Sequence, residues 1–260
     1  MKSITTPNIY KAIFSPTGGT AHAASLLADK LTGHFPASSV QTLDCTVPGT
    51  REISHSFDER DILIAAVPVY AGQLPPVENL FANLKGNKTP CIVMAAYGNR
   101  HYDDALAQLQ NKLTNQGFVC IAGIACIIPH TFSEKVGANR PNAEDLKVIA
   151  EFADAFVQKY NAHDLSKAAL PGNPAPEPKP RKSMPKFLDN TLCLNCKLCA
   201  KSCPVGAIDF STLEINGDKC INCMRCSYVC PVKARTFNAD AAKAMLETNC
   251  MNPRPIEIFL

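Results

Sequence analysis

The sequence predicts an α/β protein: a doubly wound, five-stranded parallel sheet, followed by a small cysteine-rich α+β domain. Two observations predict the first part and one the second. Apolar runs alternate with helical patterns through the first 160 residues, and a Ser/Thr/Gly loop sits between the first strand and the first helix. Further on, a C-x2-C-x2-C-x3-C-P run occurs twice.

The elements follow in order. A strand at 9–14 leads into a helix over 20–31, then a strand at 40–43. Another strand at 61–67 precedes a helix opened by Pro75-Pro76 and reaching residue 84. Residues 90–96 read as a strand, 102–115 as an amphipathic helix stopped by Gly117, 118–128 as the last strand and 142–160 as the last helix. Five β-rich runs separated by helices form a flavodoxin-like sheet.

The expected division is a first domain over 1–160, a linker over 161–186, a cysteine domain over 187–240 and a tail over 241–260. The linker carries Pro171, Pro174, Pro176, Pro178, Pro180 and Pro185, which sustain neither helix nor central strand and give a stiff, extended segment. The tail ends in Ile256-Glu257-Ile258-Phe259-Leu260, apolar enough to dock on another surface.

A shift of 27 residues superposes Cys193, Cys196, Cys199, Cys203 and Pro204 on Cys220, Cys223, Cys226, Cys230 and Pro231. Such a run wraps three thiolates around one small cluster, while the fourth cysteine, before proline, serves the other. The expected ligand sets for two 4Fe–4S clusters are therefore Cys193, Cys196, Cys199 and Cys230, and Cys220, Cys223, Cys226 and Cys203. Four-thiolate zinc sites and disulfides are the competing readings; the even triplet spacing argues against the first, and the second need an oxidising compartment. Cys45, Cys91, Cys120, Cys126 and Cys250 are scattered and read as packing residues.

Charge adds little. The chain has 26 basic and 23 acidic side chains, no polybasic run and no apolar run of bilayer length, so neither a nucleic acid nor membrane insertion is expected. Its first residues lack the h-region of a secretory signal, which points to the reducing cytoplasm. Two cubanes at about −2 each bring the loaded protein to about −1.

Ser15-Pro16-Thr17-Gly18-Gly19-Thr20 opens a helix after a strand, where free N–H groups and the helix dipole favour an anion. Lacking lysine, it suits a terminal monoester phosphate held by neutral donors; it is equally an ordinary Gly-rich helix start. Its place in the first βα turn is where a mononucleotide phosphate binds in such sheets. Two more loops rise at that edge, Pro68-Val69-Tyr70-Ala71-Gly72 and Tyr97-Gly98-Asn99-Arg100. With Tyr102, their tyrosines suit the face of a flat isoalloxazine, although each alone reads as a half-buried packing residue. Gly72 and Gly98 are the points where backbone can turn toward such a ring.

At these residues the chain resembles the flavodoxin/ferredoxin fusion proteins of anaerobic bacteria and archaea. The resemblance is carried by S-P-T-G-G-T at 15–20, V-P-V-Y-A-G at 67–72, Y-G-N-R-H-Y-D-D-A-L at 97–106 and R-P-N-A-E-D-L at 140–146, and spans nearly the whole chain. It implies FMN, with Ser15, Thr17, Gly18, Gly19 and Thr20 on the phosphate and residues 68–72 and 97–100 beside the ribityl and ring. Asp103 would hydrogen-bond nearby, and His130 and Arg140 would lie in a loop close to the flavin edge. Ser15 stands where flavodoxins usually have Thr, and the first domain is near neutral where flavodoxins are acidic. The implied function is electron transfer between the clusters and FMN, docking other redox proteins. The alternative is a flavin-dependent reductase of a small acceptor, with His101, Tyr102 or His130 as proton donor.

Overall fold

The structure is a computed structural model that describes residues 6–180 and 183–260. Two linker positions, 181 and 182, lie outside the described residues.

Along the chain run β1 (Ile9–Ile13), α1 (Gly19–His34), β2 (Val40–Asp44), α2 (Pro48–Arg51), β3 (His55–Phe57) and β4 (Ile62–Pro68). Next come β5 (Leu84–Gly86), β6 (Thr89–Tyr97), α3 (Ala105–Thr114), β7 (Phe118–Ile127) and α4 (Ala143–Asn161). The remainder contains β8 (Lys186–Leu188), α5 (Leu198–Lys201), α6 (Arg225–Tyr228), β9 (Arg235–Phe237), α7 (Asp240–Asn249) and β10 (Glu257–Phe259).

The main sheet has the order β10-β7-β6-β4-β1-β2. Its five parallel strands, numbered among themselves, run 2-1-3-4-5, which is the flavodoxin-like order. The central strands β4, β6 and β7 are buried on both faces, as their unbroken apolar sequences require. By contrast, β2 reads Val-Gln-Thr-Leu-Asp and lies largely exposed at one edge. Helices α1 and α4 pack together on one face, through Leu27, Leu31, Phe152 and Phe156. On the other face, α3 and the segment after β4 bury Leu106, Leu109, Leu80 and Phe81. The strongest cap is on α4: Asn142 accepts from the Asp145 N–H while the Asp145 carboxylate accepts from the Asn142 N–H.

Two expectations change. The helix expected over 75–84 is a chain of turns, with Leu80 N–H to Val77 O, Ala82 to Asn79 and Leu84 to Phe81 at 3.2–3.3 Å. Pro75 and Pro76 bring no donors, and Phe81 turns to φ 57° so that its ring, with the side chains of Val77 and Leu80, reaches the core. The tail adds a sixth strand: β10 pairs antiparallel with β7, Ile258 opposite Ile124. The sheet is thus a five-stranded parallel core with an antiparallel edge.

The cysteine domain repeats in backbone as in sequence. Left-handed φ values recur at Asn195 and Asn222, Lys197 and Met224, and Gly206 and Lys233, each pair separated by the sequence shift. Asp189 and Asn216 occupy matching turns, each side chain accepting from the N–H groups two and three residues on. β8 and β9 pair antiparallel and close the domain.

Candidate functional site

A cavity of about 840 Å³ opens at the C-terminal ends of β1 and β4, where the strand order reverses. Ser15, Pro16, Thr17 and Thr20 form one end; Pro68, Val69, Tyr70 and Ala71 form one side, and Tyr97 and Gly98 another. The loop after β7 contributes Ile128 to Phe132, including His130. The last wall comes from beyond the first domain: Pro178, Lys179 and Pro180 of the linker, and Cys220, Ile221 and Cys223 of the cysteine domain. Sequence reading missed that wall.

The phosphate-type loop is shaped for an anion. Gly18 caps α1 at φ 87° and has no side chain of its own to accept from the first turn, so of the N–H groups there only that of Ala21 is taken by a side chain, Ser15. Ser15 is fixed at both ends, its N–H donating to Thr46 Oγ1 at 2.9 Å and its Oγ accepting from the Ala21 N–H at 3.0 Å. Gly18 and Gly19 form the floor rather than the lining: a Cβ on Gly19 would strike the Ile128 side chain, and a Cβ on Gly18 would sit 3.1 Å from the Tyr228 hydroxyl.

Besides Gly18 and Gly19, five expected residues do not line the cavity: Gly72, Asn99, Arg100, Tyr102 and Asp103. Asn99 is buried with its amide on the tail, donating to the carbonyls of Cys250 and Asn252 and accepting from the Arg254 N–H. Tyr102 is 2% exposed, stacks on His101 and donates to Glu257 at 2.8 Å, which places it in packing rather than over a ring. Arg100 pairs with Asp103, and Asp103 also faces Lys179 at 3.8 Å and packs against Gly72. The left-handed φ at Asn99 and Asp103 turns this segment away, toward tail and linker. Arg140 likewise pairs with the buried Asp145 and is outside the lining.

His130 does line the cavity. Its Nδ1 accepts from the Phe132 N–H at 3.1 Å, which leaves the hydrogen on Nε2. Burial holds its imidazole down to about 4, against an ordinary 6.5. Below the ordinary value the unfolded chain takes up a proton that the folded chain refuses. The contribution of neutral His130 to stability is therefore complete at neutral pH and declines as pH falls from about 6.5 toward 4. Urea midpoints across that window should fall with acid in the native protein and fall less in His130→Gln; equal slopes would show that the histidine is not held neutral.

A second, small cavity is ringed by the thiols of Cys203, Cys220, Cys223 and Cys226 among Val205, Ala207, Ile208 and Met224. These are one of the two expected crossed sets, and four thiols around an apolar hole fit a thiolate-bound cluster. Burial pushes the Cys223 thiol up to about 12; the Arg225 N–H opposes this, and the nearby thiols of Cys203, Cys226 and Cys220 add to it. For the other set, the pairing of Leu188 with Arg235 and the bond from Asp189 N–H to Ala234 O at 2.9 Å bring the chain before Cys193 beside the chain after Cys230. Backbone N–H groups point at sulfur in both ligand sets, from Asn195 to Cys193 at 3.4 Å and from Ala207 to Cys203 at 3.2 Å. Such bonds tune cluster potentials.

The two cavities share a wall, since Cys220, Ile221 and Cys223 line both. Ile221 is 3% exposed within the core of the first domain. Arg225 donates to Pro16 O at 3.0 Å, and Arg51 to Pro204 O at 2.7 Å. The linker is laid along the surface: Gln73 bonds Glu177 O and the Lys179 N–H, and Lys179 Nζ donates to Ala71 O at 2.7 Å.

Residues 192–234 match the family described as 4Fe-4S dicluster domain. The chain joins a flavodoxin-like domain to a 4Fe-4S dicluster domain. The first half of that statement rests on the strand order, the second on the family match with the repeated cysteine runs. A comparison with curated protein sequences finds no match. Among solved structures, oxidised flavodoxin 2 from Bacillus cereus is similar at 18% identity and TM-score 0.42, over 58% of this chain and 99% of that one. A Streptococcus pneumonia flavodoxin is similar at 20% identity and TM-score 0.38, over 59% of this chain and 98% of that one. Among the described residues, no helix is long and apolar enough to cross a membrane.

Proposed function

We propose that this protein is an electron carrier in which two 4Fe–4S clusters and an FMN form a single relay. The observation that carries the reading is the shared wall: Cys220, Ile221 and Cys223 line both the cysteine-ringed cavity and the nucleotide-sized one. When bound, each cubane exchanges one electron and the flavin one or two.

Cys193, Cys196, Cys199 and Cys230 would hold one cluster, and Cys203, Cys220, Cys223 and Cys226 the other. The 15–20 loop would bind the FMN phosphate, with Tyr70 and Tyr97 beside the ring. A cavity of about 840 Å³ lies within the range of cofactor sites. Tyr70 and Ile221 keep water out of the seam between the two groups. Lys179 and its neighbouring prolines cover the remaining side, which favours electron relay over reduction of a small acceptor at the ring. Cytoplasmic location and redox-protein partners complete the reading.

The test is an anaerobic reductive titration followed by absorbance, with iron, sulfide and flavin determined on the same sample. About eight irons and one flavin per chain, bleaching together, is the expected result. Iron without flavin would remove the first domain from the relay, and colourless, zinc-containing protein would overturn it altogether.

A further inference from the structure

The dicluster domain is built twice over, and of its two matching cysteine-loop faces only one is covered, although the first half also meets the flavodoxin-like domain at Pro204 and Val205. Under the 27-residue shift, Leu194, Cys196, Leu198 and Lys201 correspond to Ile221, Cys223, Arg225 and Tyr228. In the second half all four meet the flavodoxin-like domain. Ile221 sits in its core, Cys223 borders the large cavity, Arg225 bonds Pro16 and Tyr228 covers Gly18. The first half has the same backbone, with matching left-handed residues, and no such cover. Leu194 is 66% exposed, Leu192 51% and Leu198 44%, and the ligand Cys196 beside them is exposed.

Single surface leucines are ordinary; three within seven residues, grouped around an exposed cluster ligand, form a patch. The charges within it are basic, and the two aspartates that bound it, Asp189 and Asp209, are each engaged by backbone N–H groups of their own turns. Residues 190–208 contain Lys197 and Lys201 and no acidic side chain.

We infer that this face docks a separate flavodoxin-type electron carrier with an acidic rim, which seats Leu194 as the chain's own domain seats Ile221. The inference rests on the relay reading above and assigns the relay its outward port. One electron crosses the face: the partner's reduced cofactor loses it and the cluster at Cys196 gains it, while no bond or proton changes hands. Lys197 and Lys201 steer the acidic partner, and the leucines exclude water from the contact.

The experiment uses the loaded full chain and, as probe, an oxidised acidic flavodoxin, so that binding is read by calorimetry without electron transfer. The expected result is a complex that Leu194→Glu and Lys201→Glu each weaken by about tenfold or more, and that added salt weakens in the native protein. Leu165→Glu, an exposed leucine on the linker, should leave it unchanged. With reduced flavodoxin, the second-order rate should fall in step, while the rate with dithionite stays the same. Iron is assayed on each variant; where Leu194→Glu loses iron, Lys201→Glu decides. No binding by the native chain, or equal binding by both variants, would overturn the inference. So would self-association of the native chain that Leu194→Glu abolishes, because the face would then belong to a second copy. Absence of flavin from the protein is a separate outcome: it sinks the relay and leaves the binding result to be read on its own.

Discussion

Replacing Cys203 with serine should remove the cluster held by Cys220, Cys223 and Cys226 and spare the one whose triplet adjoins it in sequence. Cys203 is 9% exposed and shares its small cavity with those three thiols, not with Cys193, Cys196 and Cys199. Iron should drop from about eight to about four per chain. The remaining cluster should be the outward one, so it should still accept electrons from dithionite while flavin reduction slows sharply. Resolving the two clusters by low-temperature paramagnetic resonance checks the assignment. Loss of the cluster at Cys193, Cys196 and Cys199 instead would mean that ligation is local and that the wall shared by the two cavities has another role.

The second large effect is expected at Ile221. Its side chain fills the seam between domains, and an Ile-to-Ala change at such a site costs about 2–5 kcal/mol. Ile221→Asp adds the desolvation of a carboxylate, which the seam avoids by opening. The amides around Cys220 to Val229 should then lose hydrogen-exchange protection while those of β4, β6 and β7 keep it, and the linker should become open to proteolysis. Leu194→Asp, its counterpart in the first half, should change neither. If Ile221→Asp unfolds the central strands as well, the two domains are one cooperative unit.

Much of this was legible because the signals were dense. The runs at 62–67, 90–96 and 118–128 are apolar throughout, as doubly covered strands must be, and the repeated cysteines admit few arrangements. Of the residues expected beside a flavin, Tyr70 and Tyr97 line the cavity, whereas Asn99, Tyr102 and Asp103 lie outside it. All three lie within five residues of Gly98, but left-handed residues at 99 and 103 turn Asn99 and Tyr102 toward the tail, more than 150 residues away, and Asp103 toward Lys179 of the linker, partners invisible to any local pattern. The helix expected after Pro75-Pro76 failed for a similar reason: three buried anchors, Val77, Leu80 and Phe81, outweighed helical hydrogen bonding. Ile221 was hidden in plain view. The equivalent position of the first run is also apolar, Leu194, yet exposed, so no local signal separates the residue that meets the first domain from the one that does not.

The strand formed by Glu257–Phe259 makes the dicluster domain an insertion rather than an appendage. Both ends of the module are anchored to β7, the linker through the Ala168 N–H on the Cys120 carbonyl at 3.0 Å and the tail through β10. Two tethers restrict how far it can swing and keep its local concentration at the seam high even when contacts there are lost. They also set a practical limit on dissecting the protein: a fragment cut in the linker would carry a bare β7 edge, with the Asn99 amide and the Tyr102 hydroxyl stripped of their partners, and an open edge of that kind recruits other chains.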